Sequence, residues 1–219
     1  MNKLPLCLTL ALFQVACVTT TVDEMVMEPS VALGDKAVVV LGRRHSSDYE
    51  TEPDFIQCVG REIASGRNGI KVISEPEFVD GLYPWFEPRT APMQVSNLEN
   101  LLKQPKVMSA IQDMKMRYII WIDGSTETTG TVGSVTCAIS AAGGGCFGFG
   151  SWKDDANYEA TIWNYDDLSQ VGRMNAEASG QSYMPAFVIP IPIIAPVQST
   201  ACASLGQQLL QYLTPSAPG

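Results

Sequence analysis

One histidine, two pairs of adjacent aspartates and six cysteines are the residues of this 219-residue chain with chemistry to offer. Serine-hydrolase chemistry needs a nucleophile, an imidazole base and an orienting acid. His45 is the single imidazole, and no GxSxG elbow accompanies it. Beside Arg43 and Arg44 it reads as an exposed loop residue. The pairs Asp154–Asp155 and Asp166–Asp167 have the ligands for Ca²⁺ or for acid–base work. They lack DxDxDG spacing, and aspartate is favoured in turns for its own hydrogen bonding, so solvated turns are expected. Asp123 ends an apolar run, where ligand clefts open in α/β sheets; a capping role is expected there too. The glycine run 143–150 lacks the Lys-Ser/Thr ending of a phosphate loop and is broken by Phe147 and Phe149, so it predicts a tight turn. No catalytic residue, metal ligand or cofactor site is assigned, and a non-enzymatic protein is expected.

The cysteines carry more. Four of them, Cys58, Cys137, Cys146 and Cys202, lie in the body of the chain. No CxxC occurs and His45 is remote in sequence, which argues against a zinc site. An even number suits two disulfides in an oxidising compartment. Three pairings are possible. Cys137 with Cys146 is favoured because it closes a small glycine-rich loop, and Cys58 with Cys202 because it ties two helices.

Cys17 belongs to the leader. Residues 1–16 open with Lys3, continue through the short apolar run Leu4 to Phe13 and end on the small Ala16, the pattern of an export signal. The segment Phe13-Gln14-Val15-Ala16-Cys17 resembles the lipobox of bacterial lipoproteins, with Gln14 where leucine is expected. That resemblance implies cleavage before Cys17 and acylation of its thiol and amine, palmitate included. It also implies sorting to the outer membrane, because Val18 and Thr19 follow and no aspartate does. The apolar run of about ten residues is too short for a transmembrane helix, which needs roughly 20. The expected organisation is a signal peptide 1–16, a lipidated tether 17–34 without periodicity, a folded domain 35–214 and a tail 215–219.

The net charge of −9 argues against nucleic acid or anionic lipid as the main partner, since phosphate binding needs clustered Lys and Arg. Along the domain, Lys36–Gly42 is a β-branched buried strand stopped by glycine. Thr51 is a candidate cap for a helix with Pro53 and Asp54 in its first turn and Phe55, Val59 and Ile63 on one stripe. Ile70–Ile73 is a short strand, and Ser74 with Glu77 forms a capping box for the next helix. Ser96 with Glu99 suggests another, opening helices through Leu101–Leu102 and, after Pro105, from Val107 to Met114. Arg117–Asp123 is a third buried strand, Val132–Ile139 a weak one, and Tyr158–Tyr165 alternates strictly. Asp166–Ser169 turns the chain into a hairpin partner, Gln170–Ser179. Prolines 190, 192 and 196 bar the apolar stretch Phe187–Val197 from a central strand. A last helix runs from Thr200 to Leu213. The fold class is therefore α/β (α+β), one domain with a mixed parallel and antiparallel sheet packed by helices.

Tyr83, Trp85 and Phe86, set between prolines, are the candidate partner-binding residues, because rigid aromatic anchors lose little entropy on binding. The alternative is that these rings cover the edge of the core. The Pro-rich stretch 189–194 has the same two readings. The strand Ala37–Leu41, the strand-and-helix step at Ile70–Ser74, the step Met116–Gly124, the hairpin at Asp166–Asp167 and the terminal helix together resemble, in order and pattern, the TolB N-terminal domain and CsgG-like lipoproteins. The resemblance implies a periplasm-facing, outer-membrane interaction or assembly module, held to the membrane by its lipid and touching another envelope protein. The alternatives are a secretion-complex subunit of the CsgG kind and a periplasmic hydrolase using carboxylates. No pair of long alternating runs of the sort that become membrane strands is apparent, so pore formation is not carried over.

Overall fold

The computed structural model describes residues 17–43, 51–66, 69–86, 95–141 and 143–214. His45 lies outside them, as do the leader 1–16 and the tail 215–219. The chain forms β1 (Val18–Val26), β2 (Ala37–Gly42), α1 (Pro53–Ala64), β3 (Val72–Ile73), α2 (Glu75–Gly81), α3 (Val95–Leu102), α4 (Pro105–Asp113), β4 (Met116–Ser140), β5 (Gly143–Asn164), β6 (Ser169–Pro190) and α5 (Val197–Leu213). One six-stranded mixed sheet has the order β1-β6-β5-β4-β2-β3. β2 runs parallel to β3 and β4, while β4, β5, β6 and β1 are successively antiparallel.

The core lies on both faces of one end of this sheet. β2 is buried throughout because its side chains alternate between two helix layers, which is why it reads as an unbroken apolar run. Val38 and Val40 join Tyr118, Ile120, Tyr158 and Ile162 beneath α1 and α5. Val39 and Leu41 join Ile119 and Trp121 against Phe78, Leu82, Leu102, Val107 and Ile111 from the α2–α4 side. The stripe expected on α1 is the one it buries, with Ile56 added.

Several expectations are corrected. Residues 18–26 are not a tether: they form β1, pairing from Val18↔Gly180 to Val26↔Gly172. Threonine-rich alternation is compatible with an edge strand once a partner is supplied, and that partner lies more than 140 residues away in sequence. Thr51 does not cap α1; Glu52 holds that position, and the buried Thr51 hydroxyl donates to the Ile122 carbonyl. Ser74 does cap α2, accepting from the Glu77 amide. α3 starts at Val95, ahead of Ser96, so Ser96 is not its cap. The weak strand 132–139 is not separate either. It is the outer part of a 25-residue β4 that continues past Asp123 through a bulge between Thr129 and Val132.

Candidate functional site

β4, β5 and β6 extend well beyond the helix-covered sheet as a three-stranded arm. Its outer part comprises Thr128–Ser140, Gly143–Trp152 and Gln181–Pro190. The register places Phe147 opposite Phe187 and Phe149 opposite Pro185. Phe147 and Phe187 meet edge to face at 6.2 Å, and Phe149 meets Tyr183 at 6.0 Å. These rings are not packed into a core: Phe147 is 72% exposed and Phe187 80%. Val132, Ile189, Ile191 and Ile194 are exposed beside them. The glycines of the arm are needed where strands cross closely. Gly148 has φ +145°, and a Cβ on it would stand 2.2 Å from the Ser134 carbonyl oxygen. The glycine run predicted as a tight turn is strand from Gly143 onward.

The structure pairs Cys137 with Cys146 and Cys58 with Cys202. The first pair faces directly across β4 and β5 and fixes the register near the tip. The second joins α1 to α5, with Cys202 fully buried. Cys17 is exposed and immediately precedes β1. Because Val18 pairs with Gly180, Cys17 sits at the end of the sheet from which the arm projects.

The arm is joined to the base by buried polar contacts. The Ser182 hydroxyl, fully buried, donates to the Asp154 carboxylate at 3.1 Å and accepts from the Ala195 amide at 3.0 Å. This holds the returning segment 191–195 against β6, where Ile193 and Tyr183 exchange backbone hydrogen bonds. Further in, the Tyr158 hydroxyl lies 2.7 Å from the Thr126 hydroxyl and donates to Glu52 at 3.0 Å, while the other Glu52 oxygen accepts from the Thr126 amide at 2.8 Å. Phe55 stacks on the Tyr158 ring at 3.5 Å. Burial pushes the Tyr158 phenol up to about 12.

The aspartates separate on inspection. Adjacent strand residues point to opposite faces, so Asp154 and Asp155 are not a pair. Asp154 accepts from Thr128 and Ser182. Asp155 takes Lys153 at 2.6 Å and Thr129 at 3.0 Å, and the hydrogen bond from Lys153 holds its carboxyl below the usual range. Asp166 bridges Lys36 and Arg117, and Asp167 accepts from the Ser169 hydroxyl, which lowers its pKa. Asp123 is 3.1 Å from the Arg43 guanidinium. It lines a shallow hollow of about 550 Å³ with Glu127, Asp155 and Glu159. Three of these four carboxylates already hold a cation, Glu159 facing Arg173 at 3.5 Å. No cluster of three metal-ligating side chains occurs among the described residues.

The aromatic triplet is divided. Tyr83 is 68% exposed, Trp85 is half-buried against the α2–α4 core, and Phe86 is 4% exposed and stacks edge to face on Phe78. Phe86 covers the core edge, so as a surface anchor it is corrected; Tyr83 alone presents a full ring. The residues that sequence reasoning passed over are those of the arm. Two signals were present. Phe147 and Phe149 alternate with glycine at strand period, and residues 128–152 and 178–219 contain no Asp, Glu, Lys or Arg.

No family model matches the chain, and no curated protein matches it. Among solved structures, a variant PelC dodecamer from Paraburkholderia phytofirmans is similar at 15% identity, covering 89% of this chain and 98% of that one, with a TM-score of 0.42. A second PelC dodecamer from the same organism is similar at 13% identity over 90% of this chain and 100% of that one, TM-score 0.41. A neuraminyllactose-binding hemagglutinin homolog from Helicobacter pylori follows at 9% identity over 87% and 90%, TM-score 0.38. None of the three is a TolB or a CsgG. Likeness at this level carries nothing about function from those proteins to this chain.

Proposed function

We propose that this chain is a non-enzymatic, lipid-anchored protein of the bacterial outer membrane, facing the periplasm and working as an interaction or assembly module for another envelope component. The observation that carries the reading is the pairing of all four body cysteines, which suits an oxidising compartment reached by export. The lipobox-like segment before Cys17 supplies the route, and two or more acyl chains give stable anchoring where one does not. The exposed Cys17, one residue before β1, would hold the folded sheet close to the membrane without an intervening linker.

In cells, Cys17→Ser is expected to abolish incorporation of labelled palmitate. Unchanged labelling would remove the anchor from this reading. Finding the four body cysteines reduced in protein taken directly from cells would remove the compartment.

A further inference from the structure

We infer that the tip of the β4–β5–β6 arm is a lipid-contacting element, inserting Phe147, Phe187 and their neighbours into the apolar part of a bilayer surface. The inference rests on the proposed envelope location for which membrane is met; acylation of Cys17 supports it through position alone and is removed from the test.

Four features select lipid over a protein groove. The first is charge. The two sheet faces carry Lys153, Asp154 and Asp155 up to one rung, and outward of it none of the three strands bears a charged side chain. A protein-docking surface keeps a polar rim, whereas hydrocarbon excludes charge. The second is the boundary itself. Trp152 and Tyr183 lie on adjacent rungs just beyond Lys153, half-buried, where the charged region gives way to the uncharged one. Amphipathic aromatic rings collect at such water–lipid boundaries. The third is the distribution of apolar side chains over both faces. Phe147, Phe149 and Phe187 share one face. Ile139, 93% exposed, shares the other with the Cys137–Cys146 bridge, two residues along the strand from Cys137. A docking groove is met from one side, and a bilayer surrounds an inserted element. The fourth is position: Cys17 and the arm leave the same end of the sheet, so a surface reached by one is within reach of the other.

Depth follows from the backbone. From Trp152 to Gly143 the arm measures roughly 30 Å at strand rise. Between Asp123 and Ile139, no strand among the described residues pairs with the edge of β4 away from β5. Unpaired backbone groups are costly in hydrocarbon. A single copy therefore inserts the tip around Phe147 and Phe187 and leaves the ribbon upright.

The test uses the chain from residue 17 onward carrying Cys17→Ser, so that neither leader nor acyl group contributes, and flotation with vesicles of uncharged phosphatidylcholine. The protein is expected to float, and raising the salt concentration is expected to leave that fraction unchanged. Adding F147S and F187S should weaken partitioning at least about tenfold, since each exchange replaces an apolar ring that enters the bilayer by a hydroxyl. Ile139→Asn, on the opposite face, should weaken it measurably by itself. Retention of the Cys58–Cys202 bridge and of the thermal midpoint shows that these variants fold. Absence of flotation, flotation only with charged lipid, or flotation indifferent to F147S and F187S would overturn the inference. So would oligomers in lipid-free buffer that these substitutions dissolve while vesicle binding is absent, because the occupant would then be a second copy. Release of Cys17→Ser from membranes in cells, together with failed flotation, would leave the anchor standing and reject the arm alone.

Discussion

The base and the arm are made from the same three strands, and they obey different rules. Over Tyr118–Ile122, Tyr158–Ile162 and Val171–Ala178 the strands bury apolar side chains under α1 and α5, with β2 and β1 closing the two sides. Over the outer rungs the same strands carry glycine, threonine and exposed aromatic rings, with no helix above them. In the base, tertiary burial holds the sheet together. In the arm, the ladder hydrogen bonds, the cross-strand ring contacts and one disulfide do so. Hydrophobicity in the base is accounted for by the fold; hydrophobicity in the arm is not. Each half has its own bridge, which gives the contrast a direct measurement.

The sharpest break should come from the bridges. Cys58 and Cys202 are 144 residues apart in sequence, and Cys137 and Cys146 nine. Chain-entropy arguments assign about 5 kcal/mol to the long loop and about 3 kcal/mol to the short one. The difference should widen in experiment, because an exposed hairpin opens without unfolding the base and its bridge then acts on local opening. Cys58→Ala with Cys202→Ala is expected to lower the global unfolding free energy in urea by several kcal/mol. Cys137→Ala with Cys146→Ala should shift it by less than about 1 kcal/mol while accelerating amide exchange near the tip. Equal effects in urea would mean that base and arm unfold as one unit.

A smaller effect should come from the joint between the halves. Tyr158→Phe removes the hydroxyl shared by Thr126 and Glu52 and keeps the ring that stacks on Phe55. Losing a buried hydrogen-bonding partner costs about 1–2 kcal/mol at neutral pH. The sign of the pH effect is fixed by the phenol. Its pKa is about 12 when folded, against an ordinary value of 10.0, so the folded state binds the proton more tightly. That contribution is fully present below pH 10 and is lost as pH rises towards 12. Tyr212, also raised to about 12, keeps its share in the variant. Stability measured across that alkaline window should therefore fall less steeply in Tyr158→Phe than in the parent. An unchanged slope would mean that the hydroxyl is in water.

Much of the base was legible because its signals are local. A β-branched run gave β2, a stripe at helical spacing gave α1, and Ser74 with Glu77 gave the start of α2. The two cysteine pairs followed from loop size and helix placement. The other features depend on partners distant in sequence. β1 reads as a tether because nothing near Val18–Val26 shows that residues 172–180 will pair with it. The long β4 reads as two strands because Gly124, with φ +141°, and the bulge at Thr129 interrupt the alternation that marks a strand. The two readings of the aromatic triplet stay open in the sequence because the burial of Phe86 depends on Phe78 eight residues earlier. The arm was hidden for a different reason. Its rings are exposed, so the usual inference from apolar residue to core points the wrong way. Absence of charge over 128–152 and 178–219 was the better guide.

The smallest expected effect is the most discriminating one. If Phe147 served the fold, replacing it with serine would cost about 3 kcal/mol or more, as removal of a core aromatic does. At 72% exposure, packed on little besides Phe187, the ring has little of that to lose. Phe147→Ser is expected to change the unfolding free energy by no more than about 0.5 kcal/mol, in the range of ordinary surface substitutions. It should also raise solubility in lipid-free buffer, since it interrupts an exposed apolar patch of the kind that promotes aggregation. A midpoint lowered by many degrees would place Phe147 in the core and dissolve the distinction between the two regions. A midpoint left in place means the chain carries a large apolar ring that folding does not require. Such a ring stays exposed to water until another apolar phase covers it.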